Sequence, residues 1–191
     1  RMFPSDIVVW NEYWKSELGW LKAVWSDAHI HVGGNAKKTA GTGLERGHEK
    51  DPILIPYETD APKQLIRACG EGLGLLGIPV IFKLRPDVPK SAQEEILKGV
   101  NASVIFQTEV ATPVSAVLGV YSTVLYEAVA AGIPSGVLDS PLLYAKRFVE
   151  NGLCNSVSLE SLAMDIHKLR GLSKEDLARR KSIATSASFN E

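Results

Sequence analysis

The sequence predicts an α/β fold built on a parallel sheet with helices on both faces. Short apolar runs of strand length recur between stretches with helical apolar spacing, the rhythm of right-handed βαβ units. Glycine and proline stand at the junctions where one element must stop and the next begin. The run Gly119-Val-Tyr-Ser-Thr-Val-Leu-Tyr-Glu-Ala-Val-Ala-Ala-Gly-Ile-Pro134 reads as strand end, helix start and helix stop within sixteen residues.

Taken in order, residues 6–10 are an apolar run consistent with a buried strand. Residues 12–25 place Trp14, Leu18, Leu21 and Trp25 at helical spacing. A second strand covers 29–35 and ends in a turn, and the polar, glycine-rich segment 36–50 reads as a mobile loop or linker. The main series then begins with a strand at 52–56. Asp60 is positioned to cap the next helix and Pro62 to sit in its first turn. Leu65, Ala68, Cys69, Leu73 and Leu76 form the expected buried face of that helix, and Gly77 ends it. Strands follow at 78–84 and 102–107, separated by a helix at 91–98 with Ser91 and Glu94 at capping-box spacing. The next strand is 117–120, Ser122 and Thr123 open the helix after it, and Gly132 and Pro134 close that helix. The last expected strand is 135–139. The region 156–180 carries two amphipathic helical stretches, read as a solvated pair, with Ser173-Lys-Glu-Asp opening the second. The expected layout is therefore a lead-in at 1–35, a loop at 36–50, a main α/β domain at 51–155 and C-terminal helices at 156–191.

Composition narrows the function classes. The chain has 191 residues, enough for one sizeable domain. A formal net charge of −1 supplies no bulk field for nucleic acid or an anionic membrane, so any anion must be held by a local site. Cys69 and Cys154 lack metal-ligand spacing, and Cys69 falls inside an apolar helical pattern as a core residue. There is no run of eighteen apolar residues and no secretory signal, which points to a soluble cytoplasmic chain. Arg1 precedes Met2, and Trp10, Trp14, Trp20 and Trp25 crowd the first twenty-five positions. Both features suggest a fragment whose aromatic end packs on a missing N-terminal domain, although an ordinary aromatic minicore is the better account of at least two of the indoles.

In parallel sheets ligands bind beyond the carboxyl ends of the strands, so the candidate site draws on 57–60, 83–87, 107–109 and 121–127. A helix starting at Ser122 and Thr123 turns backbone N–H groups and a positive dipole end toward that crevice, which favours phosphate. Glu127 lies four residues after Thr123 and five after Ser122, so it forms no capping box with either. A carboxylate one turn inside the helix can reach the vicinal hydroxyls of a ribose whose phosphates lie at the helix start. Lys83 and Arg85 alternate onto one side of a strand end, where two cations can converge on a phosphate. Glu58, Thr59 and Asp60 make a polar turn that either faces the ligand crevice or, for Asp60, serves as a helix cap. His29 and His31 read as a strand edge, since no third residue completes a metal site. Gly70, Gly72, Gly74 and Gly77 sit late in a helix and make no dinucleotide fingerprint.

The 119–134 segment resembles the C-terminal half of the GT-B glycosyltransferases and their relatives, among them bacterial capsule and surface-polysaccharide transferases, teichoic acid glycerophosphotransferases and UDP-GlcNAc 2-epimerases. Residues 4–35 are similar to the crossing between the two domains of surface-polysaccharide transferases, with Asn11 in place of the usual Gly and Gly33 in place of the usual Thr. The resemblance implies a Rossmann-like domain forming one half of a GT-B architecture. It implies that Ser122 and Thr123, with Lys83 and Arg85, hold donor phosphate, that Glu127 binds ribose, and that Gln107 and Glu109 lie near the nucleobase. Arg85 stands where several relatives have the His of Lys-x-His-Pro, which keeps the charge but removes a proton donor and acceptor. The implied reaction is metal-independent glycosyl transfer from a nucleotide sugar, a substrate rather than a cofactor, to a surface-polysaccharide acceptor. No catalytic residue is assigned, because the acceptor site and general base belong to an N-terminal half. The resemblance leaves open peripheral association of the full protein with the inner face of the membrane. Two other readings stand beside it: half of a non-hydrolysing UDP-sugar 2-epimerase, and a non-catalytic α/β assembly domain.

Overall fold

Among the described residues, six short parallel strands form the sheet that organises this chain. The computed structural model describes residues 6–9, 15–16, 18–19, 29–32, 43–58, 63–84, 89–98, 100, 104–107, 112–140 and 143–185. The sheet strands are β3 (Ile53–Pro56), β4 (Val80–Lys83), β5 (Val104–Gln107), β6 (Ala116–Gly119), β7 (Ser135–Leu138) and β8 (Asn155–Val157). β1 (Asp6–Val9) and β2 (His29–Val32) form a separate parallel pair with Asp6 opposite His29, and His31 Nε2 lies 2.7 Å from Asp6 Oδ1. The six strands run in the order β5-β4-β3-β6-β7-β8. The chain thus starts in the middle, winds outward through β4 to β5, and returns to the other side of β3 with β6. That is the doubly wound Rossmann order, whose binding crevice lies where the winding reverses, between β3 and β6.

The strands read as continuous apolar runs because both faces are covered: every residue of β3, β6 and β7 is buried. Helix α1 (Lys63–Leu75) follows β3, and its buried residues are Ile66, Cys69, Gly70 and Leu73. The expected face of this helix needs correcting, since Leu65 is only partly buried and Leu76 is 45% exposed. Gly70 supplies part of the reason. A Cβ there would lie 2.7 Å from Phe82 Cζ, so the helix presses its bare backbone on the β4 aromatic, while Leu76 falls past the helix end in the turn. Gly77, at φ 69°, then turns the chain back, as a left-handed residue past a helix end does.

Helix α2 (Lys90–Leu97) has Pro89 at its N-cap and no side-chain cap, so the expected Ser91–Glu94 capping box does not form. The helix starts earlier than that pattern implied, which leaves Ser91 inside the first turn and Glu94 3.3 Å from Lys90. Helix α3 (Thr123–Ala130) links β6 to β7, and Gly132 at φ 77° ends it with Ile133 N–H donating to the Ala128 carbonyl at 2.9 Å.

Beyond β7 the structure adds two elements that the sequence reading lacked, helix α4 (Leu143–Glu150) and strand β8, so 135–139 is not the final strand. A domain boundary drawn at 155 cuts β8, which pairs with β7 through Gly136 opposite Asn155. Three residues with one inward apolar side chain give no usable periodicity, which is why β8 escapes detection. Helices α5 (Leu162–Arg170) and α6 (Lys174–Thr185) are core elements rather than a solvated pair, burying Leu162, Ile166, Leu169, Leu177 and Ala184. Gly136 permits this packing, since a Cβ would lie 2.7 Å from Val157 and 2.8 Å from Leu118, with Leu169 at 3.3 Å. Ser173 caps α6 by accepting the Asp176 N–H at 3.1 Å. Helix α6 packs on α3, where the Tyr126 hydroxyl donates to the Ala184 carbonyl.

The expected mobile loop is docked over its described part. Leu44 joins the core, and Arg46 bridges in parallel to Val114, with Gly47 N–H donating to the Val114 carbonyl at 2.8 Å. Main-chain pairing of this kind leaves no residue-type signature, so polarity and glycine content pointed the other way. Trp10, Trp14, Trp20, Trp25, Asp60 and Pro62 lie outside the described residues, as does most of the expected helix at 12–25; within it Lys15 and Ser16 are helical and Leu18 and Gly19 form a turn.

Candidate functional site

At the winding reversal the carboxyl ends of β3 and β6 lie side by side, and each releases its chain into the crevice. From β3 the chain runs on through Tyr57, whose N–H donates to the Lys83 carbonyl at 2.8 Å, to Glu58, only 3% exposed. Glu58 Oε1 accepts the Val120 N–H at 2.8 Å and Oε2 accepts the Tyr121 N–H at 2.9 Å. Burial pushes this carboxyl above the ordinary carboxylate range, against the opposing effect of hydrogen bonds from the Val120, Tyr121 and Ser122 amides. Gly119 makes room for it, because a Cβ there would stand 2.7 Å from Glu58 Oε1.

From β6 the chain passes through those amides into α3. Ser122, at φ −60° and ψ 143°, is the N-cap: its Oγ accepts the Val124 N–H at 3.2 Å and its carbonyl the Leu125 N–H at 3.0 Å. The expectation of unpaired N–H groups at this helix start is corrected for Val124 and Leu125, whose N–H groups are taken by the Ser122 hydroxyl and carbonyl. The amides of Val120, Tyr121 and Ser122 serve Glu58, and that of Val124 serves Ser122. Around the turn Thr123 is exposed, and Ser122 and Glu127 are half-buried. Val124, Leu125, Tyr126, Ala128 and Val129 are buried and hold the helix in place. Loss of the Ser122 hydroxyl should show its capping role directly. Ser122→Ala is expected to cost about 1 kcal/mol, read as a lower midpoint in urea unfolding at unchanged m.

Lys83 is half-buried at the end of β4, opposite Pro56 on β3 and Gln107 on β5. It stands two strand spacings from β6, roughly 10 Å. The fold thus brings Lys83, Glu58, Ser122, Thr123 and Glu127 to one edge of the sheet. Gln107 ends β5 on that edge; Arg85, Thr108 and Glu109 lie outside the described residues, as do Thr59 and Asp60. Farther along, a cleft of about 640 Å³ opens beyond β7 and β8 beside α4, lined among others by Asp139, Ser140, Lys146, Glu150 and Ser156. The Ser156 hydroxyl is bonded to the Asp139 carboxylate there. Sequence reasoning placed Glu58 in a polar turn but missed its partners, because Val120 is 62 residues away and no local spacing links them. His29 and His31 stand with ring centroids 6.3 Å apart on the separate β1–β2 pair. Cys69 and Cys154 are buried, and burial pushes both thiols up to about 12.

No protein-family model matches the sequence, and no curated protein matches it significantly. Solved structures match its fold. Os79 from O. sativa, crystallised with U2F and trichothecene, is 13% identical with a TM-score of 0.59, the match covering 95% of this chain and 49% of that one. The calicheamicin glycosyltransferase CalG4 is 17% identical with a TM-score of 0.55, covering 82% of this chain and 43% of that one. A Listeria monocytogenes protein assigned as a UDP-N-acetylglucosamine 2-epimerase is 15% identical with a TM-score of 0.58, covering 90% and 51%. The chain spans about half the length of each of these neighbours. No helix among the described residues is long and apolar enough to cross a membrane. The chain has a Rossmann-like α/β fold, a parallel sheet covered by helices, that it shares with about half of the calicheamicin glycosyltransferase CalG4 and of Os79.

Proposed function

We propose that this chain is the nucleotide-sugar-binding half of a glycosyltransferase that builds a surface polysaccharide at the cytoplasmic side of the cell. The observation that carries the reading is the Ser122–Thr123 helix start at the winding reversal, with Glu127 one turn on, in a fold held in common with known glycosyltransferases. In this reading the Ser122 and Thr123 hydroxyls, together with Lys83 and Arg85, hold the donor phosphate. Glu127 accepts from the ribose hydroxyls, and Gln107 and Glu109 border the base. The leaving nucleotide gains negative charge as the glycosidic bond breaks. Fixed cations and the positive end of α3 stabilise that charge in the transition state, a role that needs no metal ion. Because Glu58 already occupies the amides before the helix, side-chain hydroxyls and cations carry the phosphate contacts. The glycan acceptor and the general base belong to a second half, by analogy with the full length of the neighbours.

The test is a titration of the chain with UDP, CDP, CMP and GDP, followed by calorimetry and amide NMR. One nucleotide is expected to bind in the presence of EDTA and to shift resonances from residues 83–87 and 119–127. No response to any nucleotide at millimolar concentration favours a non-catalytic assembly domain instead. The 2-epimerase reading is kept because a protein assigned that activity matches the fold over 90% of this chain. It predicts that the full-length protein interconverts UDP-N-acetylglucosamine and its C2 epimer, whereas a transferase releases UDP only with an acceptor present.

A further inference from the structure

Consecutive backbone amides that converge on one point make an anion-binding concavity, and the crevice of a doubly wound sheet is a usual place for one. In this chain the concavity at Val120 and Tyr121 is filled from within. Glu58 reaches it from the neighbouring strand end and gives one oxygen to each amide, at 2.8 and 2.9 Å. The fit is close on every side. Gly119 carries no Cβ where Oε1 needs space, and the carboxylate is almost wholly withdrawn from solvent.

We infer that Glu58 is the positioning residue of the nucleotide site: its carboxylate acts as an internal anion that fixes the β6–α3 turn and so aims Ser122, Thr123 and Glu127 into the crevice. The inference rests on the nucleotide-binding reading of α3. Glu58 itself touches no ligand in this account; it acts through the turn. The turn residues Val120 to Ser122 join a strand to a helix within three positions, and the two bonds to Glu58 tie the Val120 and Tyr121 amides to the neighbouring strand end. Both oxygens are required, because each meets a different N–H. Aspartate is shorter by one methylene, about 1.5 Å, and cannot span the gap. Glutamine has the right length but puts an NH2 group against one of the two N–H donors.

The experiment compares wild type, Glu58→Gln and Glu58→Ala for nucleotide affinity, melting temperature and the amide resonances of Val120, Tyr121 and Thr123. Wild type is expected to bind a nucleotide. Glu58→Gln is expected to remain folded, to move all three resonances, and to bind about tenfold or more weakly. In Glu58→Ala, formate in excess should enter the vacated concavity, return the Val120 and Tyr121 resonances toward their wild-type positions and restore nucleotide affinity. Formamide, neutral and of the same size, should not. A purely structural carboxylate would lower the melting temperature of both variants while the folded protein bound nucleotide within twofold of wild type, and that result overturns the inference. If Glu58→Ala does not fold, Glu58→Gln alone decides by the same comparison. Silence of wild type toward every nucleotide overturns the underlying reading of α3, and it is seen before any variant is made.

Discussion

Gly119→Ala is expected to destabilise the domain by about 1–3 kcal/mol and to do so through Glu58. The new methyl would lie 2.7 Å from Glu58 Oε1, 3.2 Å from Pro56 Cγ and 3.4 Å from Leu125 Cδ1. None of these atoms can withdraw cheaply. Pro56 ends a wholly buried strand, Leu125 is fully buried, and Glu58 is held by the Val120 and Tyr121 amides. The contact closest to a clash is with the carboxylate, so the strain is relieved either by breaking a buried hydrogen bond or by moving β6 away from β3. A domain of this size loses roughly 2–4 °C of Tm per kcal/mol, which calorimetry resolves. The decisive measurement is a double-mutant cycle with Glu58→Ala. If Glu58 is the obstacle, the methyl costs less once the carboxylate is gone, and the two changes are far from additive. Additive losses would show that Pro56 or Leu125 sets the cost. An unchanged melting temperature would show that the turn yields without strain.

The legibility of this chain in its sequence follows a physical divide. Strand and helix alternation, the parallel sheet and the helix punctuation at Gly77, Gly132 and Ser173 were all readable, because buried parallel strands advertise themselves as apolar runs and helix ends need particular residues. Cys69 was readable as core for the same reason. What stayed hidden depends on contacts between distant segments. The α1 face differs because Gly70 meets Phe82 and Leu76 falls past the helix end, and the Ser91 cap was pre-empted by an earlier helix start at Pro89. β8 has too few residues for a pattern, and the 43–50 segment is pinned by main-chain bonds that any residue can make. In the candidate site, Ser122, Thr123, Glu127 and Lys83 were placed at the sheet edge as ends of successive strands and starts of the helices after them. The occupant of the amide concavity was not, since the bond from Glu58 to Val120 crosses 62 residues.

Glu127→Gln is expected to lower nucleotide affinity roughly tenfold or more while leaving the melting temperature nearly unchanged. Glu127 is half-buried on α3, one turn from Ser122 and Thr123, and its backbone carbonyl accepts the Ala131 N–H at 3.0 Å regardless of the side chain. The helix itself is secured by the buried Val124, Leu125, Ala128 and Val129, so apolar packing supplies most of its hold. Glutamine keeps the length and nearly the helix propensity of glutamate. It removes the charge that strengthens a hydrogen bond from a ribose hydroxyl, an interaction of about 1.5–3 kcal/mol when the acceptor is ionised. Glu94→Gln serves as the control. It loses only the surface pair with Lys90 on α2, worth about 0.3–0.5 kcal/mol, and should leave nucleotide binding alone. Should Glu127→Gln unfold the domain while the folded fraction binds as tightly as wild type, the carboxylate is structural and ribose recognition must be sought elsewhere on the edge. Should affinity and melting temperature both hold, the side chain serves neither purpose, and the nucleotide would have to be held by Ser122, Thr123 and Lys83 without it.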